Sequence, residues 1–165
     1  MKELWDLYDE KRNVTGKVHE RGTWIPDGYY HLVVHIWIKN KEGKYLISRR
    51  DKSREANPLL LECQGGSVLQ GETSLEGAIR ETKEEVGIDL TNVPGKIIYT
   101  KMREHFHDIM DVWLFNYDGE VDLSKATTNE VCEVMWMTYD EIKKAFDTKE
   151  LVQTLDYFFE IDGDK

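Results

Sequence analysis

The sequence predicts a mixed α/β (α+β) fold, and three observations carry that prediction. Stretches of alternating apolar residues lie on both sides of one well-marked helix. A chain of 165 residues gives one hydrophobic core ample material. The composition, 40% hydrophobic with only three prolines, is neither disordered nor fibrous.

Leu4–Tyr8 and Val14–Val18, separated by the polar Glu10-Lys11-Arg12-Asn13, read as a small hairpin followed by a Gly/Pro-containing loop to Gly28. His31–Lys39 places Leu32, Val34, Ile36 and Ile38 on one face and His31, Val33, His35 and Trp37 on the other, so both faces are at least partly covered. Asn40–Gly43 is a turn, and Lys44–Ser48 returns as a strand closed by Arg49 and Arg50. Leu59–Gln64 is a short apolar strand running into Gly65-Gly66, where the backbone can turn sharply or approach a ligand closely. Thr73-Ser74-Leu75-Glu76 fits a capping box, and the helix it opens ends at Gly87. Strands follow at Lys96–Met102, Ile109–Tyr117 and Val131–Met137, then helices at Thr138–Phe146 and Lys149–Phe159. The span 1–165 reads as a single domain, with 1–28 an N-terminal hairpin and loop extension and 29–165 the core.

Twenty-two Lys and Arg against 32 Asp and Glu give a net charge of −10. That charge opposes attraction to nucleic acid or anionic lipid, and neither is expected as a partner. A polyanionic small molecule would need metal ions to bind. Cys63 and Cys132 are too few for a disulfide framework and read as small strand residues. The charged start MKELWDLYDE lacks a signal-peptide core, and no apolar run approaches the roughly 20 residues of a membrane span. The expectation is a soluble, cytoplasmic protein; the exposed hairpin could support a homodimer.

At about 100° per residue, Leu75, Ala78, Ile79, Thr82 and Val86 share one arc of the central helix, while Glu81, Glu84 and Glu85 fill the neighbouring arc. A solvated face is the ordinary reading of such a run. Like charges at i,i+4 nonetheless repel by about 0.2–0.5 kcal/mol per pair, and Lys83 lies outside the acidic arc. Three hard carboxylates facing one way would suit Mg²⁺.

Gly66, Glu72, Arg80-Glu81, Glu84-Glu85 and Gly87-Ile88, at their fixed spacing, resemble the Nudix box, the signature of the Nudix hydrolases. Thr82 departs from the pattern, standing where the family usually has an aliphatic residue; its hydroxyl can bond the carbonyl four residues earlier. The resemblance implies an α/β/α sandwich with a mixed sheet and a loop-helix-loop motif. It also implies Mg²⁺-dependent (or Mn²⁺-dependent) hydrolysis of a nucleoside diphosphate linked to another group. Glu81, Glu84 and Glu85 would be metal ligands, one of them able to activate water, with the Gly65 carbonyl as a further ligand. Arg80 would orient Glu84, Glu72 would brace the loop, and Glu130 would add a catalytic carboxylate, with Glu133 as fallback.

Arg49 and Arg50, at a strand end, could hold a phosphate or stand as a solvated terminus. His105 and His107 read as loop residues near one mouth of the site. The whole chain, hairpin included, resembles the branch related to isopentenyl-diphosphate isomerase, which makes isomerisation the rival activity. His31 matches one of the isomerase's metal histidines. Ser67 stands where another should be, and Gly65 where its catalytic cysteine should be, so hydrolysis is favoured. A non-catalytic sensor on the same fold is a second rival, opposed by the paired Glu84-Glu85.

Overall fold

A computed structural model describes residues 2–161; the ends of the predicted span 1–165, Met1 and 162–165, lie outside the described residues. The hairpin forms as β1 (Leu4–Tyr8) and β2 (Val14–Glu20), a separate two-stranded sheet. The main sheet contains β3 (His31–Lys39), β4 (Tyr45–Arg50), β5 (Leu61–Glu62), β6 (Gln64–Ser67), β7 (Gly95–Arg103), β8 (Asp108–Asn116) and β9 (Val131–Met137). Its main path runs β5-β4-β3-β8-β7, with β6 on β3 and β9 on β4. The β3–β8 pairing is parallel and the others antiparallel, so the sheet is mixed.

Both faces of β3 are covered. Leu32, Val34, Ile36 and Ile38 pack with Ala78 and Val86 of α1 (Ser74–Val86), whereas Trp37 joins Ile142 and Ala145 of α2 (Tyr139–Asp147) on the opposite face. This is the α/β/α sandwich that the sequence implied. Helix α1 begins with both halves of the Thr73/Glu76 capping box, worth about 1 kcal/mol, and stops at Gly87, whose φ of 76° favours glycine.

One element differs from the sequence expectation. The predicted helix over Lys149–Phe159 is instead a bridge at Leu151, a 3₁₀ turn at Gln153–Tyr157 and the short α3 (Phe158–Ile161). The physical reason is edge pairing: the Leu61 N–H donates to the Glu150 carbonyl, and the Val152 N–H donates to the Leu61 carbonyl. Those bonds hold residues 150–152 against β5 and out of helical geometry. Gly65-Gly66, where the sequence lets the backbone turn sharply or approach a ligand closely, makes no turn: both residues lie in β6, packed closely beneath α1 and against β3. A Cβ on Gly66 would sit 2.3 Å from Glu81 Oε1, and one on Gly65 would sit 2.7 Å from the Val34 carbonyl oxygen. Among the described residues, no helix is long and apolar enough to cross a membrane.

Candidate active site

Helix α1 sets its acidic arc against β6. Glu85 is only 4% exposed, and its Oε1 accepts a 2.9 Å hydrogen bond from the Gly65 N–H. Arg80 occupies the centre of the cluster. Its Nη1 donates to Glu81 Oε1 at 3.1 Å and to Glu84 Oε2 at 3.0 Å, its Nε and Nη2 fork onto Glu72, and Nη2 also reaches the Ser67 carbonyl. Glu72 in turn accepts from the Leu69 N–H, which ties the loop to the helix. The far end of α1 is fixed by the Thr127 and Thr128 N–H groups, both donating to the Glu84 carbonyl. Thr82 is fully buried, and its hydroxyl donates to the Ala78 carbonyl at 2.9 Å.

The cluster sets four carboxyl groups, those of Glu72, Glu81, Glu84 and Glu85, beside one guanidinium, that of Arg80, which disfavours ionisation of all four together. Burial pushes Glu81 up to about 7 against the pull of Arg80, with Glu84 and Glu130 adding to the rise. Burial, with Glu81 and Glu62 nearby, holds the Glu85 carboxyl well above its ordinary value. Among the described residues, no three His, Cys, Asp or Glu side chains are disposed as a metal cage. Glu81 and Glu84 face Arg80, and Glu85 faces the Gly65 N–H. The donors fit a hard divalent cation chemically, being oxygens in a buried cluster, and ligation requires them to exchange those partners for the ion.

A cleft of about 450 Å³ opens over the cluster, a size suited to a small-molecule ligand. Gly65, Arg80, Glu81, Glu84 and Glu130 line it together. Glu130 Oε2 is paired with Arg54 Nη1 at 2.7 Å, and Arg54 also faces the cleft. Arg49 and Arg50 do not line this cleft. Arg49 pairs with Glu133 at 2.8 Å and bonds the Leu59 carbonyl; Arg50 pairs with Glu62 at 2.7 Å and bonds the Ala56 carbonyl. Arg50 instead borders a smaller adjoining cavity with His35, Cys63 and Glu85. His105 lies in a 3₁₀ turn, Glu104–Phe106, and His107 follows it, its carbonyl accepting from the His31 N–H. The His31 ring lies 4.0 Å from that of Trp5, stacked beneath the hairpin, and burial lowers it to about 4. Cys63 is buried and Cys132 exposed.

Sequence reasoning missed Arg54 and the anchoring of the hairpin. Asp111 on β8, fully buried, accepts two bonds from Arg12 at 2.7 and 2.6 Å, one from Ser74 at the start of α1 and one from Thr100. Burial pushes its carboxyl up, but these donors outweigh it and hold it below the ordinary value. The signal was an aspartate amid the apolar run Ile109–Phe115, a charge that had to find a partner.

The NUDIX domain family model matches residues 29–158. A Nudix hydrolase of Listeria innocua, lin0387, itself uncharacterised, is 38% identical over 161 residues, which are 95% of this chain and 90% of that protein. An isopentenyl-diphosphate Δ-isomerase of Salmonella heidelberg is 30% identical over 129 residues, 78% of this chain and 62% of that one. The crystal structure of DR0079 from Deinococcus radiodurans shares the fold with a TM-score of 0.79 at 21% identity, covering 97% of this chain and 99% of that one. With its acidic helix, its glycine pair and this match over most of its length, the chain belongs to the NUDIX family, that of the Nudix hydrolases.

Proposed function

We propose that the protein hydrolyses the pyrophosphate bond of a nucleoside diphosphate linked to another group, with Mg²⁺ or Mn²⁺ as cofactor. The observation that carries this reading is the joint facing of Glu81, Glu84, Glu130 and the Gly65 backbone into one cleft, with Glu85 buried beside it. A divalent cation held by Glu81, Glu84, Glu85 and the Gly65 carbonyl would neutralise the diphosphate and lower the pKa of a bound water. Arg80 fixes where the Glu84 and Glu81 carboxylates point, through forked bonds that also anchor it to Glu72 and Ser67. Glu130 lines the cleft from the facing loop, and its carboxylate would take a proton from the attacking water. Arg54, held at Glu130, offers a guanidinium to a phosphate oxygen in the same cleft.

Arg80→Lys tests the orienting role. A lysine ammonium cannot reproduce the fork that holds Glu72, Glu81, Glu84 and Ser67 at once, so turnover should fall by roughly 10–100-fold with KM nearly unchanged. An effect confined to KM would instead make Arg80 a substrate contact.

The kinship with isopentenyl-diphosphate isomerase favours one alternative, proton transfer to an alkene. That chemistry requires a proton donor and an acceptor flanking the double bond. Gly65 has no side chain, and burial pushes the Cys63 thiol well above its ordinary value. Incubation with isopentenyl diphosphate in deuterated buffer should give no incorporation above the metal-free blank. A panel of nucleoside diphosphate compounds with Mg²⁺ should release a monophosphate from at least one. Deuterium incorporation without any such release would replace hydrolysis by isomerisation.

A further inference from the structure

The cleft is not built from the family core alone. Residues ahead of position 29 supply part of its lining: Lys2, Glu3 and Leu4 at the start of the hairpin and Arg21 just after β2. The hairpin is held against the box loop by main-chain and side-chain bonds. The Gln70 N–H donates to the Leu4 carbonyl at 2.8 Å, and the Gly71 N–H donates to Asp6 Oδ2 at 2.8 Å. Its turn is pinned to the sheet by the bidentate Arg12–Asp111 pair. The inner face buries Trp5, Leu7 and, from the following loop, Ile25, all fixed in one apolar cluster. This hairpin is therefore a set wall of the cleft, and its rim carries two cations in a protein of net charge −10.

Those cations are weakly engaged. Lys2 Nζ lies 3.4 Å from Glu20 and Arg21 Nη1 lies 3.3 Å from Glu3, with side chains 76% and 62% exposed. Exposed pairs of this kind contribute little, so a ligand bearing a full phosphate or carboxylate charge displaces them readily. We infer that Lys2 and Arg21 form an anion subsite of the cleft, one that selects substrates bearing a phosphate or carboxylate in addition to the diphosphate addressed by the box residues. The inference rests on the proposed nucleotide-diphosphate reading and adds to it the class of the group that lies against the hairpin.

Two matched pairs of compounds, each differing by one anionic group, provide the test: NAD⁺ with NADP⁺, and UDP-glucose with UDP-glucuronic acid. Dissociation constants are measured calorimetrically with Ca²⁺, a larger cation that acidifies bound water less and so slows turnover. Wild type should prefer the member with the additional anionic group in at least one pair by about tenfold, the worth of one charge-assisted contact. Lys2→Gln/Arg21→Gln should lose that preference with unchanged affinity for the member that lacks the extra group. Lys11→Gln, a charge removed from the hairpin turn away from the cleft, should keep it. No preference in either pair, a preference that survives in the double variant, or one that Lys11→Gln also abolishes overturns the subsite. Failure of all four compounds to bind overturns both the subsite and the nucleotide reading. Selective binding with no hydrolysis in Mg²⁺ overturns the hydrolase reading alone.

Discussion

The Glu85→Gln protein is expected to fold at least as well as wild type and to turn over its substrate on the order of 10²–10⁴ more slowly. The two halves of that expectation come from one fact, that Glu85 is a nearly unexposed carboxylate accepting a single bond from the Gly65 N–H. A glutamine oxygen can accept the same bond, so the junction of α1 with β6 keeps its shape. The ionisable carboxyl disappears, and with it the burial penalty that raises the Glu85 pKa, which removes a cost from the unliganded fold. A cation ligand is lost at the same time. Addition of Mn²⁺ should therefore raise the unfolding midpoint of wild type more than that of the variant, since only binding to the folded state stabilises it. Initial rates at limiting and saturating Mg²⁺ decide the matter: a variant matching wild type at limiting Mg²⁺ has not lost a ligand, and the assignment of Glu85 fails.

Local chemistry made most of this site legible. The capping box, the arc of Glu81, Glu84 and Glu85 and the αL stop at Gly87 follow from residue types within 15 positions, and α1 forms over Ser74–Val86 with both caps as expected. Thr82 bonds Ala78 for the same local reason. Long-range pairings were not legible. Arg54 meets Glu130 across 76 positions, and nothing near either residue names the other. The stretch after Lys149 shows the converse failure: its apolar residues are buried as a helix reading requires, but edge bonds to Leu61 draw residues 150–152 out of helical form. Pattern registers which residues avoid water, and the partner they find decides the backbone.

Arg12→Ala is expected to cause a large loss of stability although Arg12 lies outside the apolar core. Asp111 is 0% exposed and would keep only Ser74 and Thr100 as donors, leaving a charge buried without a countercharge. Breaking a buried pair from one side costs about 3–5 kcal/mol, and the partial exposure of Arg12 lowers this to about 2–4 kcal/mol, roughly 5–15 °C in the unfolding midpoint. Asp111→Asn should cost less, because the abandoned guanidinium is 39% exposed and can turn to water. Combining the two substitutions should recover part of the Arg12→Ala loss. The backbone supplies an internal control: Arg12 has φ 66°, a conformation glycine tolerates, so Arg12→Gly should be milder than Arg12→Ala by up to about 1 kcal/mol. Chemical denaturation of the four variants beside wild type measures the set. If Arg12→Ala and Asp111→Asn cost the same and their effects simply add, the pair is not coupled. The hairpin would then be held by its apolar cluster and the bonds to Gln70 and Gly71, and the route from Arg12 through Asp111 to Ser74 at the start of α1 would carry no weight in placing the acidic helix.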